Sequence, residues 1–293
     1  MTNVYDIIRA AALVLGLGFS ARQGRKGWIW SDSMLWGSYG LALFAFPGSL
    51  FPGNDSPLLM YMTRMFASLM LSAAASWYMS RNTRDENVIG AFLWARLVGS
   101  LLFVAVTMYF LLNSGDKFTD KTMYFEMVGF GMLLCTTVYQ MWRGEYRVGG
   151  REAKGNISML CRVMFLVIFI GGLLELAFPS FCFSFKKLEF MESLCVRLTG
   201  CMSIGCSLVW MLATSFRYDE DRISLFFASL VMLAGALISV NLGYFVDEIF
   251  TPREALMMHA GFLPWLVVIV GLYVKLMREN GNKSDYNLRS KSQ

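Results

Sequence analysis

A single histidine, His259, stands in the whole chain. That count alone excludes the histidine-rich metal centres of membrane desaturases and hydroxylases, which need several imidazoles at one site. The six cysteines, Cys135, Cys161, Cys182, Cys195, Cys201 and Cys206, contain no CxxC spacing, so a cysteine-held structural metal is not encoded. Most of them sit inside apolar runs, where a thiol acts as a small hydrophobe. GxSxG and HExxH are both missing, which removes the usual signatures of α/β-hydrolases and zinc proteases. Charge is scarce as well: 16% of residues carry it, against about 25% in a soluble domain. Residues 33–54, 97–115, 198–216 and 223–246 hold no Asp, Glu, Lys or Arg. The net charge of +5 comes without any nucleic-acid-binding motif, so nucleic acid is not an expected partner.

What is abundant is apolar: 56% of the chain, with a mean hydropathy of +0.50. A hydrocarbon core about 30 Å thick needs roughly 20 apolar residues per crossing helix. Several such runs predict an all-α, polytopic membrane protein, because backbone polar groups in lipid must be satisfied within each segment. The runs are continuous, whereas a β-barrel would alternate over short segments. Turn and charge punctuation divides them into eight spans at 28–50, 57–80, 88–113, 121–143, 157–179, 189–213, 222–246 and 252–277.

Orientation follows from the basic residues of alternate connections. One set has sixteen: Arg22, Arg25, Lys26, Arg81, Arg84, Arg143, Arg147, Arg151, Lys154, Arg217, Arg222, Lys275, Arg278, Lys283, Arg289 and Lys291. The other has five: Lys117, Lys121, Lys186, Lys187 and Arg253. The rich set is expected in the cytoplasm, together with the C-terminus. The membrane concerned is that of the endoplasmic reticulum or the cell surface. Residues 4–20 contain Asp6 and Arg9, which leave too short a charge-free stretch to cross comfortably. They are expected as an interfacial helix, with a ninth crossing as the alternative.

The chain repeats itself. At an offset of 132, Gly40 falls on Gly172 and Ala45-Phe46-Pro47 on Ala177-Phe178-Pro179. Gly129-Phe130 falls on Gly261-Phe262, and Arg143 on Lys275. One residue further, Arg64 falls on Arg197 and Trp77 on Trp210. The expected division is therefore an N-terminal segment 1–27, a first four-helix repeat 28–143, a linker 144–156, a second repeat 157–277 and a disordered tail 278–293. Four spans per unit give both copies the same polarity, as in parallel transporter repeats. Phe-Pro is expected to stop each helix at the interface. Gly40, "ALFAFP", Arg64 and the small-residue helix after it resemble one unit of the tumour-suppressor-inducible four-helix membrane proteins, over the first two helices of each half. The resemblance implies a four-helix membrane module and supplies no catalytic residue; that family has one unit where this chain has two.

Intramembrane charges ask for a partner or a purpose. Arg64, Arg197, Glu126, Glu175 and His259 are expected in the outer half of the membrane, and Arg96 deeper. As a site, the two arginines would take an anionic group through the planar guanidinium. Glu126, Glu175 and His259 would hold a proton or counter-ion, and Arg96 is the hardest charge to hide. The competing reading is helix stitching and snorkelling. "RNTRDEN" and "RYDEDR" bring acids together at the inner loops, as Mg²⁺ ligands beside a phosphate or as solvated acids. The expected protein is not an enzyme and uses no cofactor. It binds or transports a small anionic or lipid-like ligand between the repeats, or else it is a scaffold or accessory subunit. Its expected partners are membrane lipids and either another membrane protein or a second copy of itself.

Overall fold

Helix boundaries fall where the sequence supplies caps and breaks. Ser56 accepts the Leu59 amide at 3.4 Å and Pro57 occupies the first helical position of the helix that follows. Glu189 and Glu192 form a reciprocal capping box at the start of another, and Thr251 and Glu254 do the same ahead of the last. Both Ala-Phe-Pro stretches end a helix at the alanine, as expected. In the computed structural model, described over residues 4–49, 56–113, 122–144, 146, 148–149, 156–182 and 187–291, the helices are α1 (Val4–Arg22), α2 (Arg25–Ala45), α3 (Pro57–Met79), α4 (Glu86–Asn113), α5 (Thr122–Arg143), α6 (Asn156–Ala177), the short α7 (Pro179–Cys182), α8 (Phe190–Leu212), α9 (Asp219–Phe245) and α10 (Pro252–Lys291). The described residues contain no strand.

Among the described residues, six segments are long and apolar enough to cross a membrane: Pro57–Asn82, Glu86–Asn113, Ile157–Ala177, Phe190–Ser215, Asp219–Phe245 and Pro252–Arg278. Helices α2 and α5 match them in length, at 21 and 22 residues, but not in apolarity. The reason is visible in their buried polar groups: Asp32 and Ser33 on α2, and Glu126, Thr136, Thr137 and Gln140 on α5.

Packing does not follow chain order. Helix α2 lies on α3, α6 on α8, α4 on α5 and α9 on α10. The consecutive helices α3 and α4 make no broad contact; α3 instead packs on α9, and α4 on α8, with α3 and α8 meeting at the centre. Close approach depends on glycine. A Cβ at Gly172 would fall 3.0 Å from the Gly200 carbonyl oxygen, and one at Gly205 would fall 2.7 Å from that of Ala95. Two apolar clusters result. One carries the stacked Phe103 and Phe130 rings, 3.6 Å apart, and lies toward the Ala-Phe-Pro end. The other holds Trp28, Trp77, Trp210 and Phe226, toward the end with the basic connections.

Two segments lie outside the eight expected spans. Helix α1 does not lie across one end of the bundle. Leu13 meets Gly129 and Gly18 meets Met132, while Gln140 donates to the Ala21 carbonyl at 2.9 Å, so α1 runs beside α5 in the same direction and antiparallel to α2. Leu13 and Leu17 are buried there, and Ile8, Leu15 and Phe19 face outward; the apolar stripe outweighs the two charges that argued against lengthwise packing. The tail beyond residue 278 is helical to Lys291 as part of α10. Extending an existing helix adds a bond per residue fixed, without a new nucleus, and no proline interrupts residues 279–291. All six cysteines are free thiols.

Candidate functional site

The charges expected to share one outer pocket close instead on separate partners. Arg64, on α3, pairs through Nη1 with Asp247 Oδ2 at 2.5 Å. Glu126, on α5, accepts the Tyr39 hydroxyl at 2.7 Å on both oxygens and is 2% exposed. Glu175, on α6, accepts from Ser203 at 3.3 Å. His259, on α10, bonds the carbonyl of Ala255 one turn back, through Nδ1 at 2.7 Å. Arg197, on α8, donates to the Leu176 carbonyl at the end of α6, has no acidic partner among the described residues, and keeps a buried Nε without a hydrogen bond. It lines a separate opening of about 710 Å³ with Tyr109, Asn113 and Phe190. A common pocket of Arg64, Arg197, Glu126, Glu175 and His259 is therefore not what the fold builds. In a low dielectric each buried polar group is driven to the nearest partner, and these partners are spread over α2–α5, α3 with the α9–α10 turn, α6–α8 and α10 itself.

Arg96 is different, and it leads to the site. It sits on α4 and forms a two-point pair with Asp32 of α2, Nη1 to Oδ2 at 2.5 Å and Nη2 to Oδ1 at 3.1 Å. Asp32 is 1% exposed. The guanidinium carbon lies 5.9 Å from the ring centroids of both Trp28 and Trp77, within reach of cation–π attraction. Those two indoles meet edge to face at 5.1 Å. Carboxylate, guanidinium and indoles are thus one buried unit.

Asp32, Arg96 and Trp77 of that unit form a wall of a cavity of about 110 Å³ at the meeting of α2, α3, α4, α5, α8 and α9. Trp36, Trp77, Phe92, Trp210, Met70 and Met202 supply its apolar walls, and Ala95 and Gly99 the narrow one. Cavities of roughly 150 Å³ in soluble proteins accept benzene, so the space suits a small molecule or one portion of a larger one. The polar groups are few. Ser76 and Ser229 direct their hydroxyls to the backbone carbonyls of Ala73 and Leu225, at 2.9 and 3.1 Å. Trp77 turns its indole N–H toward the Asp32 carboxylate, and Arg96 Nε is enclosed without a hydrogen bond.

The acids of "RNTRDEN" and "RYDEDR" hold two turns together. Asp85, 1% exposed, accepts the amides of Asn87 at 3.1 Å and Arg217 at 2.7 Å. Asp221 accepts Thr83 Oγ1 at 2.9 Å. Arg222 pairs with Asp219 at 2.6 Å and donates to the carbonyls of Ala213 and Phe216. These bonds tie the α3–α4 turn to the α8–α9 turn. No group of three His, Cys, Asp or Glu side chains able to hold a metal occurs among the described residues.

Asp32, Asp247, Trp36 and Trp77 were not singled out from the sequence. Asp32 carried one available signal: it is an acid set among tryptophans at the edge of a charge-free run, in a chain where Arg96 lacked a local partner.

The class of protein is an all-helical bundle with several membrane-length helices around a tryptophan-lined cavity. Residues 30–273 match the family described as a domain of unknown function, DUF8292, and the chain belongs to that family. No curated protein and no solved structure matches it.

Proposed function

We propose that this is a non-enzymatic, multi-pass membrane protein built from two parallel four-helix repeats, and that it binds a small lipid-like molecule in the cavity where the repeats meet. The observation that carries the binding reading is the cavity itself: apolar and aromatic walls around a few convergent polar groups, the usual composition of a ligand site. The duplication reading is supported by symmetric packing. Under the offset of 132 to 133, the α2–α3 contact corresponds to α6–α8, the α3–α9 contact to α8–α4, and α4–α5 to α9–α10. The crossing points correspond as well, Gly40 against the Ala67 carbonyl and Gly172 against that of Gly200. Each repeat's tryptophan meets a phenylalanine, Trp77 with Phe92 and Trp210 with Phe226.

The ligand reading is tested with fluorobenzene as a ¹⁹F probe and the purified protein in nanodiscs. A bound resonance is expected, and Ser229→Leu, which fills the cavity, is expected to remove it. An identical spectrum for the two proteins would end this reading. The scaffold reading draws on the pairing of Arg64 with Asp247 and of Ser56 with Glu192 at 2.5 Å, contacts that hold helices together and leave little charge for an anion. Those pairs move the expected ligand from anionic to lipid-like.

The same reading fixes a topology. The ends of α3 and α8 near Arg84 and Glu220 lie in the cytoplasm, and α1, running with α5, is a ninth crossing that starts on the other side. On a cysteine-free background, an impermeant maleimide is expected to label Val4→Cys and Glu248→Cys from one face, and Arg84→Cys and Glu220→Cys from the other. Labelling of Val4→Cys together with Arg84→Cys would return α1 to the interface. A split between Arg84→Cys and Glu220→Cys would remove the parallel repeat.

A further inference from the structure

Arg64, Arg96 and Arg222 each close on an acid. Arg197 of α8 closes on none among the described residues. Its Nη1 donates to the Leu176 carbonyl and its Nε is enclosed, but Nη2 makes no hydrogen bond and is not enclosed. A guanidinium held between helices without a counter-charge is costly, so it calls for an anion. Its surroundings say where that anion comes from. Leu176 stands at the end of α6, Tyr109 and Asn113 in the last turns of α4, and Glu189 caps the start of α8. The opening that Arg197 lines with Tyr109, Asn113 and Glu189 therefore lies at the Ala-Phe-Pro end of the bundle. There the helices pass from hydrocarbon to headgroups.

The polar lining carries both signs. Glu189, Ser193 and Arg197 recur every four residues, which sets them along one face of α8. The donors are Arg197 Nη2 and the Ser193 hydroxyl, which forms no hydrogen bond. The acceptors are Glu189 and Asn113. Glu189 receives the Glu192 amide and, as a carboxylate, has lone pairs to spare. Asn113 donates its amide nitrogen to the Tyr109 carbonyl at 2.8 Å, which leaves its oxygen free to accept. The Tyr109 hydroxyl can serve either sign. Phe110 supplies an apolar flank, 5.9 Å from the Arg197 guanidinium and 5.2 Å from Phe190.

The geometry points to a site for the headgroup of a zwitterionic phospholipid. Its phosphodiester lies on Arg197 Nη2 and Ser193, its ammonium faces Glu189 and Asn113, and its acyl chains pass Phe110 and Phe190 into the bilayer. Guanidinium suits phosphate through its planar fork, and basic pockets between membrane helices take lipid headgroups. The order of charges matches as well. In such a lipid the phosphate is nearer the hydrocarbon and the ammonium outermost, as Arg197 is deeper on α8 and Glu189 stands at its start. A purely anionic headgroup would meet the Glu189 carboxylate without compensation. The inference rests on the multi-pass reading and is independent of the central cavity, so loss of the fluorobenzene site would leave it standing.

Native mass spectrometry of the detergent-solubilised protein tests it with phosphatidylethanolamine, phosphatidylglycerol and diacylglycerol of identical chains. Phosphatidylethanolamine is expected to bind tightest, and diacylglycerol equally weakly to all variants. Arg197→Gln is expected to weaken phosphatidylethanolamine about tenfold, the size of one hydrogen bond to a charged group. Arg253→Gln removes an exposed charge at the start of α10 and should change it less than about twofold. Glu189→Gln keeps an oxygen for the Glu192 amide and should narrow the preference for phosphatidylethanolamine over phosphatidylglycerol by about fivefold. A phosphatidylethanolamine affinity unchanged in Arg197→Gln, or lowered equally by Arg253→Gln, would overturn the site. Phosphatidylglycerol binding tighter than phosphatidylethanolamine to the wild type would overturn the zwitterionic class. Displacement of the lipid by excess inorganic phosphate would show a site for free phosphate instead. If Arg197→Gln does not fold, the Glu189→Gln comparison decides, and an unchanged preference there sinks the assignment.

Discussion

Asp32→Ala is expected to cost about 3–5 kcal/mol of stability, the usual consequence of stranding one member of a buried ion pair. The guanidinium of Arg96 would remain between Trp28 and Trp77 with its only carboxylate gone. The arginine lies too deep in the bundle to find water readily, and its remaining neighbours on the cavity wall offer no second acid. Asp219→Ala is a useful contrast. It removes an i,i+3 pair whose acid is 32% exposed, and Arg222 keeps its bonds to the carbonyls of Ala213 and Phe216. Its loss is expected below about 1 kcal/mol. The double variant Asp32→Ala/Arg96→Met should recover most of the damage, since an apolar replacement of both partners is often neutral. Reversible unfolding in mixed micelles measures all four proteins. A cost for Asp32→Ala no larger than for Asp219→Ala would show that Arg96 reaches solvent or another partner.

Gly205→Ala should be damaging through sterics, where Asp32→Ala is damaging through charge. The new methyl would fall 2.7 Å from the Ala95 carbonyl oxygen and 2.9 Å from Gly99 Cα. Both are backbone atoms, so no side chain can swing aside, and α4 must move off α8. Overpacking of this kind costs about 1–3 kcal/mol. Ala95 and Gly99 also line the central cavity, so the shift should alter fluorobenzene binding along with stability. Gly271→Ala is the reference: nothing lies within 4 Å of its added methyl, and alanine is the better helix former. Thermal unfolding of the two variants should separate clearly, with Gly271→Ala at or above wild type. Equal midpoints would mean that α4 and α8 do not approach as closely as described.

The helices were largely legible in the sequence, because long apolar runs bounded by proline, glycine and charge have few other ways to satisfy their backbones. The Ala-Phe-Pro stops and the proline starts at Pro57 and Pro252 were read from residue type alone. The site was legible only by half. Arg96 stood out through its depth, yet its acid lies 64 residues earlier on α2, and Arg64 finds Asp247 across 183 residues. Pairings of that range belong to the packing of helices, which no periodicity encodes. The same holds for Trp77, whose role depends on α8 and α9 closing the space in front of it. The burial of Leu13 and Leu17 where α1 runs beside α5 is likewise a product of packing that a count of charges along residues 4–20 does not reveal.

The exchange of partners between α3–α9 and α4–α8 bears on how such a chain can come to be assembled. Synthesis delivers α3 and α4 long before α8 and α9 exist, so the broadest surfaces of the early half wait for segments still inside the ribosome. Neither portion alone could bury the helices that line its half of the central space. The smallest body that covers those surfaces is the interlocked whole, with α3 closed by α9 and α4 by α8.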